Sequence, residues 1–527
     1  MNKSEEGVIA SRYAKLENNR RPFLDRAREA SKLTIPGLLP PEGHDKTQSF
    51  STPWQSVGAR GVNNLAAKML LAAFPANIPF FRFQIDDFTL EELTQQEGMR
   101  AEVEKGLGKI ERALQTEFND AESGYRVDLV ESLKHLIVAG NVLLFMPTKG
   151  TNIRVFHLDR FVARRDAEGN LLEVITVEYL DRKTLPGEIA DQLSEDIEEH
   201  TGVDKDLPLY TRTYLSDEGK WEMEQEVTGL VVNTGSYKRD RCPFMALRWS
   251  AISNEDYGRG YVEEYYGDLQ SLEGLSQTIV EGAAIAAKVV IGKRPNSKTK
   301  IKDFAKAENG AIITGDLEND LTTWQADKGI DIRVAQTQAV GIEQRLNLAF
   351  LLSTQAVRDA ERVTAEEIRF IASELEDSLG GVYSLLSQEL QLPFIKRLQW
   401  RLEGKGRIPK LPKDDIKPII VTGVEALGRG QDITNLRSAL EDLAILQNLP
   451  PEIGQRVNLG DLATRIFTAR GVDTEGLFKS DEEIQAEQQQ AQMMQMVQEL
   501  GPNAVNQAGQ MMQQQQEISN NGESQAA

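Results

Sequence analysis

Residues 263–289 read EEYYGDLQSLEGLSQTIVEGAAIAAKV, a long stretch without a proline. Leu269, Leu272, Leu275, Ile279 and Ala283 share one stripe at helical spacing, which predicts a single helix from Glu263 to Val289. A second helix is predicted from about Val334 to Leu352. Between them, IGKRPNSKTKIKDFAKAENGAIITGDLENDLTTWQADKG (291–329) carries strand, helix and strand signals of its own. Two long helices bearing a small α/β tip decide the class as α+β, mainly α.

C-terminal to this unit, Thr364 and Glu367 form a capping box, and Ile368, Ile371, Leu375, Leu379, Val382 and Leu386 hold one face of a long helix through Leu392. Gly380-Gly381 costs about 1 kcal/mol per glycine relative to alanine, so a kink or a close packing contact is expected there. Pro393 adds a bend before Phe394 to Leu402. Shorter helices follow at Thr434–Leu446 and Leu462–Ala469, then the Gln/Met-rich residues 476–527. Helix is plausible there to about Leu500, and beyond Gly501 a disordered or partner-ordered tail is expected.

N-terminal to the unit, a charged helical pattern from Gly7 to Ala30, bent at Pro22, is broken by Pro36, Pro40 and Pro41. Ser56–Phe74 reads as a buried-face helix through Val62, Leu65, Ala66, Met69, Leu70 and Ala73, ended by Pro75. Glu91–Phe118 and Val127–Val138 read as two more. Between Asn141 and Trp249 the period changes to two. Runs such as VLLFMP, IRVFHL and LYTRTYL, with turns at Glu168-Gly169-Asn170 and Asp217-Glu218-Gly219, predict hairpins of an antiparallel sheet.

A chain of 527 residues exceeds one hydrophobic core, so two or more structural regions are expected. The start MNKSEEGVIASRY has no signal-peptide run, and Met69–Phe81 and Leu136–Met146, the most apolar segments, are too short to span a membrane. A soluble, non-exported protein is expected. Cys242 is the sole cysteine, so no intrachain disulfide forms and a reducing cytosol suits the chain. A net charge of −21 argues against tight gripping of DNA but not against a conduit that DNA slides past.

No motif establishes an enzyme. VTGVEALGRGQD (421–432) has the glycine spacing of a phosphate loop, but Arg429 stands where the lysine belongs and Gly430 removes the hydroxyl that would bind magnesium. A structural turn is the better reading. Gly258-Arg259-Gly260 and Gly106-Leu107-Gly108 lack a third fingerprint glycine and read as turns or helix boundaries. Glu263, Glu264 and Asp268 could hold magnesium, yet a solvated helix face explains them better. His135 and His157 read as core histidines. No catalytic residue, cofactor site or metal centre is assigned. The one charge anomaly is basic: Lys293, Arg294, Lys298, Lys300, Lys302 and Lys306 cluster in the tip. They are either solvated lysines or a patch that meets nucleic acid or a protein partner.

The stretches TPWQSVGARGVNNLAAKMLLAAFP (52–75), HLIVAGNVLLF (135–145), YGRGYVEEYYGDLQSLE (257–273) and ERVTAEEIRFIASELEDSLGGVYSLLSQELQLP (361–393) resemble the portals, or head-to-tail connectors, of T7-like short-tailed phages (podoviruses). The resemblance spans most of the chain up to about residue 475. It implies a ring of twelve subunits around an axial channel at one capsid vertex, and a division into parts. These would be a wing (1–262, β-hairpin-rich at 141–250), a first stem helix (263–289), an α/β clip (290–333), a second stem helix (334–352), a tunnel loop (353–362), a long kinked helix of the wing (363–403), a crown region (404–475) and a C-terminal barrel helix and tail (476–527). The tunnel loop would place Arg358 and Arg362 near passing DNA. The basic run would face DNA, or the terminase or adaptor.

Implied functions are nucleation of the procapsid, docking of the terminase motor and tail proteins, and passage of DNA in packaging and ejection. Implied partners are copies of the chain itself, double-stranded DNA, the terminase large subunit, tail adaptor and tail proteins, major capsid and scaffolding proteins, and internal core proteins, with no membrane and no cofactor. The place would be the virion, and the host cytoplasm during assembly. Twelve copies at −21 would carry roughly −250, a wall that guides DNA without binding it. Two rival readings are a nucleotide-driven DNA translocase working through residues 421–432 and a coiled-coil internal scaffold or adaptor. The β-rich block and the α/β tip speak against the second.

Overall fold

The computed structural model describes residues 7–44, 47–75, 80–85, 99–147, 153–180, 206–296, 299–324, 329–352, 375, 379–382, 384–410 and 416–420, all within Met1–Ala426, the first of two units into which the chain divides. The tunnel loop with Arg358 and Arg362, Lys298, the capping box at Thr364, and the 421–432 stretch with the helices and tail after it lie outside the described residues.

Among the described residues, four helices build the N-terminal half: α1 (Val8–Lys32), α2 (Val57–Ala73), α3 (Met99–Asn119) and α4 (Tyr125–Ala139). Helix α1 runs on through Pro22. The predicted stripe of α2, from Val62 to Ala73, is buried throughout, because Val62, Leu65 and Met69 face the main core. Phe74, Phe80, Phe118, Tyr125 and Phe394 meet there at ring separations of 4.9–6.3 Å in edge-on and stacked pairs, geometries that add to simple area burial. Gly106 and Gly108 lie inside α3, so they are neither a turn nor a helix boundary. Gly258 and Gly260 do mark a tight crossing: a Cβ on either would fall 2.4–2.7 Å from the carbonyl oxygens of Val138 and Ser250.

Among the described residues the β block forms two sheets. Strands β2 (Asn141–Phe145), β3 (Arg154–Phe156) and β9 (Phe244–Arg248) pair in the order β3-β2-β9. Strands β4 (Phe161–Arg165), β5 (Leu171–Leu180), β6 (Leu207–Leu215), β7 (Trp221–Val227) and β8 (Leu230–Tyr237) form an antiparallel meander in chain order. The expected turns are present, with Gly169 and Gly219 at positive φ. A third pair joins β1 (Phe81–Ile85) to β12 (Ile416–Ile420) across the whole chain, and neither strand was predicted.

Charged groups tie α1 to the meander. Glu226 of β7, buried, accepts from the Ile9 and Ala10 backbone N–H groups at 2.8 and 3.0 Å, so a strand carboxylate caps the positive end of α1. Glu173 of β5 sits between Arg12 and Arg212, and hydrogen bonds from both hold its carboxylate below its ordinary pKa even though burial works the other way.

Residues 384–386 are helical and run into a π turn at Ser387–Gln391 before α10 (Leu392–Gly404). Pro393 has no N–H to continue the regular ladder, and the wider turn accommodates it. Among the described residues, a Cβ on Gly380 or Gly381 would meet nothing within 4 Å, so the close packing contact expected there is absent.

Candidate functional site

The predicted two-helix unit forms with shifted ends. A short α5 (Tyr261–Glu264) breaks at Tyr265, then α6 runs Tyr266–Ala287 and α9 runs Gly329–Ala349. The break arises because Tyr261, Tyr265 and Phe350 pack together, ring separations 5.0–6.0 Å, and the Tyr261 hydroxyl donates to the Ala349 carbonyl at 2.9 Å. The second helix begins five residues before Val334, with Asp331 in its first turn, where the helix dipole favours a carboxylate.

The pair is packed at its root and open at its far end. Leu269 and Leu272 of α6 and Ile342 and Leu346 of α9 are buried, and Arg345 pairs with Asp268 at 2.8 Å. The hydrogen bond from Arg345 lowers the Asp268 pKa. Farther out, Val280, Ile285, Val289, Ile330, Val334 and Val340 are more than half exposed. That much apolar surface on one arm is what monomers ordinarily avoid.

The tip carries β10 (Val290–Lys293), α7 (Ile301–Lys306), α8 (Leu317–Asp320) and β11 (Leu321–Trp324), with β10 and β11 antiparallel and Val290 opposite Trp324. Among the residues whose burial is described it has almost no interior: every β10 residue is exposed and Trp324 is 58% exposed. One polar knot holds it. Asp320 accepts from the Thr299 N–H and hydroxyl at 3.1 and 2.8 Å, and Thr299 is only 1% exposed. Lys293, Arg294, Lys300, Lys302 and Lys306 all sit on this tip and are all exposed, so the fold brings five of the six predicted cations together.

At the other end of α9 the chain turns sharply. Leu351 adopts φ 53, with its N–H bonded to Leu348 and the Leu352 N–H bonded to Asn347, the doubled pattern of a Schellman stop. Asn64 of α2 donates to the Phe350 and Leu351 carbonyls, and buried Lys68 donates to the Leu351 carbonyl. Sequence reading missed this grip. A polar pair on the i, i+4 face of an otherwise apolar helix was the available signal, since buried polar groups need partners.

The acidic residues considered for magnesium are otherwise engaged, Glu263 with Arg26 at 3.0 Å and Asp268 with Arg345. Burial and neighbouring Glu263 raise the Glu264 pKa. Among the described residues no group of histidine, cysteine and carboxylate is arranged to hold a metal, and no helix is long and apolar enough to cross a membrane. His135 is buried, the core role expected of it, whereas His157, stacked on it, is only half-buried, 30% of its side chain exposed beside Asp159.

Residues 6–477 match the sequence profile of a family described as bacteriophage head to tail connecting protein. The portal protein of Escherichia phage T7 is 40% identical over 512 residues, 96% of this chain and 94% of that one. The portal protein of Enterobacteria phage T3 is 39% identical over 504 residues, 94% and 92% of the two chains. The neck of an empty gene transfer agent particle aligns with 77% of this chain and 90% of its own at 13% identity and a TM-score of 0.38, a superposition too loose to argue from.

Proposed function

The chain belongs to the bacteriophage head to tail connecting protein family, and from that membership we propose that it is a portal: a ring of twelve copies at one capsid vertex, nucleating the procapsid and carrying DNA during packaging and ejection. The observation that carries the ring is the arm. Its outer half and tip leave Ile285, Ile312, Trp324, Ile330 and Val334 uncovered on a folded chain, and copies arranged about an axis would bury them against one another. Charge order supports the same packing. The tip's cations fall at 293–306, while Glu308, Asp316 and Glu318 follow them, so neighbours set head to tail can oppose unlike signs.

On this reading α6 and α9 are the stem, the β10–β11 tip is the clip, the two sheets and N-terminal helices form the wing with the long helix, and residues 404–475 and 476–527 supply crown and barrel. Arg358 and Arg362 line the tunnel, and Lys293, Arg294, Lys298, Lys300, Lys302 and Lys306 meet DNA or the terminase or adaptor. Tail, capsid, scaffolding and internal core proteins are the remaining partners. The particle hydrolyses nothing itself, and the motor is a separate protein.

Face-on imaging of the purified protein tests the ring: closed rings with an open axis support it, and monomers or filaments overturn it. ATP hydrolysis by the purified ring that is lost in Arg429→Ala would overturn the passive channel. Particles bearing Arg358→Ala and Arg362→Ala that package and retain DNA normally would remove those two from the tunnel.

A further inference from the structure

The five-stranded meander has two edges, and among the described residues only one is covered. On β4, the Ala163 N–H donates to the Tyr257 hydroxyl at 2.9 Å and the Arg165 N–H to the Asp256 carboxylate at 2.7 Å, so the outward groups of that edge are already paired. The opposite edge, β8 (Leu230–Tyr237, LVVNTGSY), has no such cover among the described residues. It carries no charged residue and no proline in a chain that is 27% charged, although soluble proteins ordinarily guard an edge of this length with lysine, proline or a covering segment. Leu230 and Val231 are exposed on it.

The two faces flanking that edge differ in chemistry. In the β7–β8 register, Ser236 lies opposite Glu222 and Thr234 opposite Glu224. The Tyr214 hydroxyl on β6 donates to Glu222 at 2.7 Å and lies 3.3 Å from the Glu224 carboxylate, so the two stand together one strand in from the edge, behind two short hydroxyl side chains. On the other face Tyr237, Gly235 and Asn233 oppose Trp221, Met223 and Gln225. The Met223 methyl lies over Gly235, 3.4 Å from where a Cβ would stand, so an aromatic ring on an adjoining strand can pack across the glycine against it.

We propose that the outer edge of β8 is a strand-addition site that takes an extended segment of a different polypeptide, with lysine or arginine on the Ser236/Thr234 face and an aromatic or β-branched residue opposite Gly235. Main-chain hydrogen bonds to β8 give the affinity, and the Glu222–Glu224 pair selects long basic side chains that reach over the hydroxyls. The occupant is not the meander of a second copy. Joining β8 to the β4 edge of a neighbour is blocked by Tyr257 and Asp256, and β8-to-β8 pairing needs a two-fold axis that a directional ring lacks. That exclusion rests on the portal reading, whereas the open edge does not.

The test uses the full chain and two fluorescein-labelled octapeptides, one alternating lysine with valine and tyrosine, the other with glutamate in place of lysine. The lysine peptide should bind, should slow amide exchange within 230–237, and should lose affinity by about tenfold or more for the Thr234→Lys/Ser236→Lys variant, whose melting temperature stays that of the parent. Absence of binding, equal binding of the glutamate peptide, or equal binding to the double variant overturns the site. So do pairs of molecules that the double variant dissolves, because the occupant is then a copy. Images of the same samples report the ring separately: rings that ignore the peptide overturn the site alone, and monomers that bind it with the same selectivity overturn the ring alone.

Discussion

Lys68 of α2 donates from Nζ to the carbonyl oxygen of Leu351 at 3.0 Å, across 283 residues of chain. Leu351 is the left-handed residue that stops α9, and Asn64 holds the same carbonyl from the preceding helical turn at 3.0 Å. The helix from the N-terminal core thus fixes the point at which the arm ends and the proposed tunnel loop begins. A leucine at φ 53 is strained and persists because its surroundings impose the turn.

Removing that hold should loosen the stop without unfolding the core. Asn64→Ala deletes two hydrogen bonds and leaves the Phe350 carbonyl short of a partner, a loss of about 1–2 kcal/mol. Chemical denaturation measures that loss, and amide exchange should quicken at 350–352 before it does in α2. Leu351→Gly relieves the backbone but discards a buried side chain worth about 2 kcal/mol or more, so the net sign is still destabilising.

Glu389, in the π turn, lies between two buried arginines, Arg248 of β9 at 2.8 Å and Arg165 of β4 at 3.3 Å. Burial pushes Arg165 down to about 10, with Glu389 opposing that shift. Glu389→Gln keeps the shape and removes the charge, which leaves two guanidinium groups facing each other. A loss of about 3–5 kcal/mol is expected in urea or guanidinium unfolding. A midpoint unchanged from the parent would mean that solvent already screens this cluster.

His135 predicts an acid limit. It is buried against His157, with Asp159 and Glu131 the nearest carboxylates, and burial pushes its pKa down to about 3. The unfolded chain protonates this histidine near 6.5 while the folded chain does not. Its neutral form therefore adds no penalty above that pH, and stability falls as pH drops from about 6.5 towards 3, by about 1.4 kcal/mol per pH unit from this group. His135→Gln should flatten the slope of unfolding free energy against pH in that window. An unchanged slope would assign the acid sensitivity elsewhere.

What could be read beforehand followed how local the signal was. The stripe of α2, the hairpins of the meander and the strand-helix-strand tip were legible because each repeats at short range. β1 and β12 were not, since each is five residues long and its partner lies some 335 positions away. The end of α9 was misjudged because Leu351 is an apolar residue in a conformation that usually calls for glycine. The basic residues were visible as a cluster, but only the fold shows that they sit beside an exposed two-stranded pair. The uncovered apolar face of the arm was not legible, because a stripe of Leu269, Leu272, Leu275, Ile279 and Ala283 predicts the helix but not how far its burial extends: Ile279 is half-buried and Ala283 exposed.

That face yields the sharpest expectation about assembly. Ile330 and Val334 are 77% and 57% exposed on one turn of α9. Changing either to aspartate on a solvated surface should alter the stability of the single chain by no more than about 0.5 kcal/mol. In a ring the same carboxylate would be buried against a neighbour without a partner, at a cost of several kcal/mol for every interface. Ile330→Asp and Val334→Asp should therefore keep the melting temperature of the isolated chain and sediment as monomers, while Ile330→Leu still assembles. Rings formed by both aspartate variants would place the subunit contact on another face of the arm.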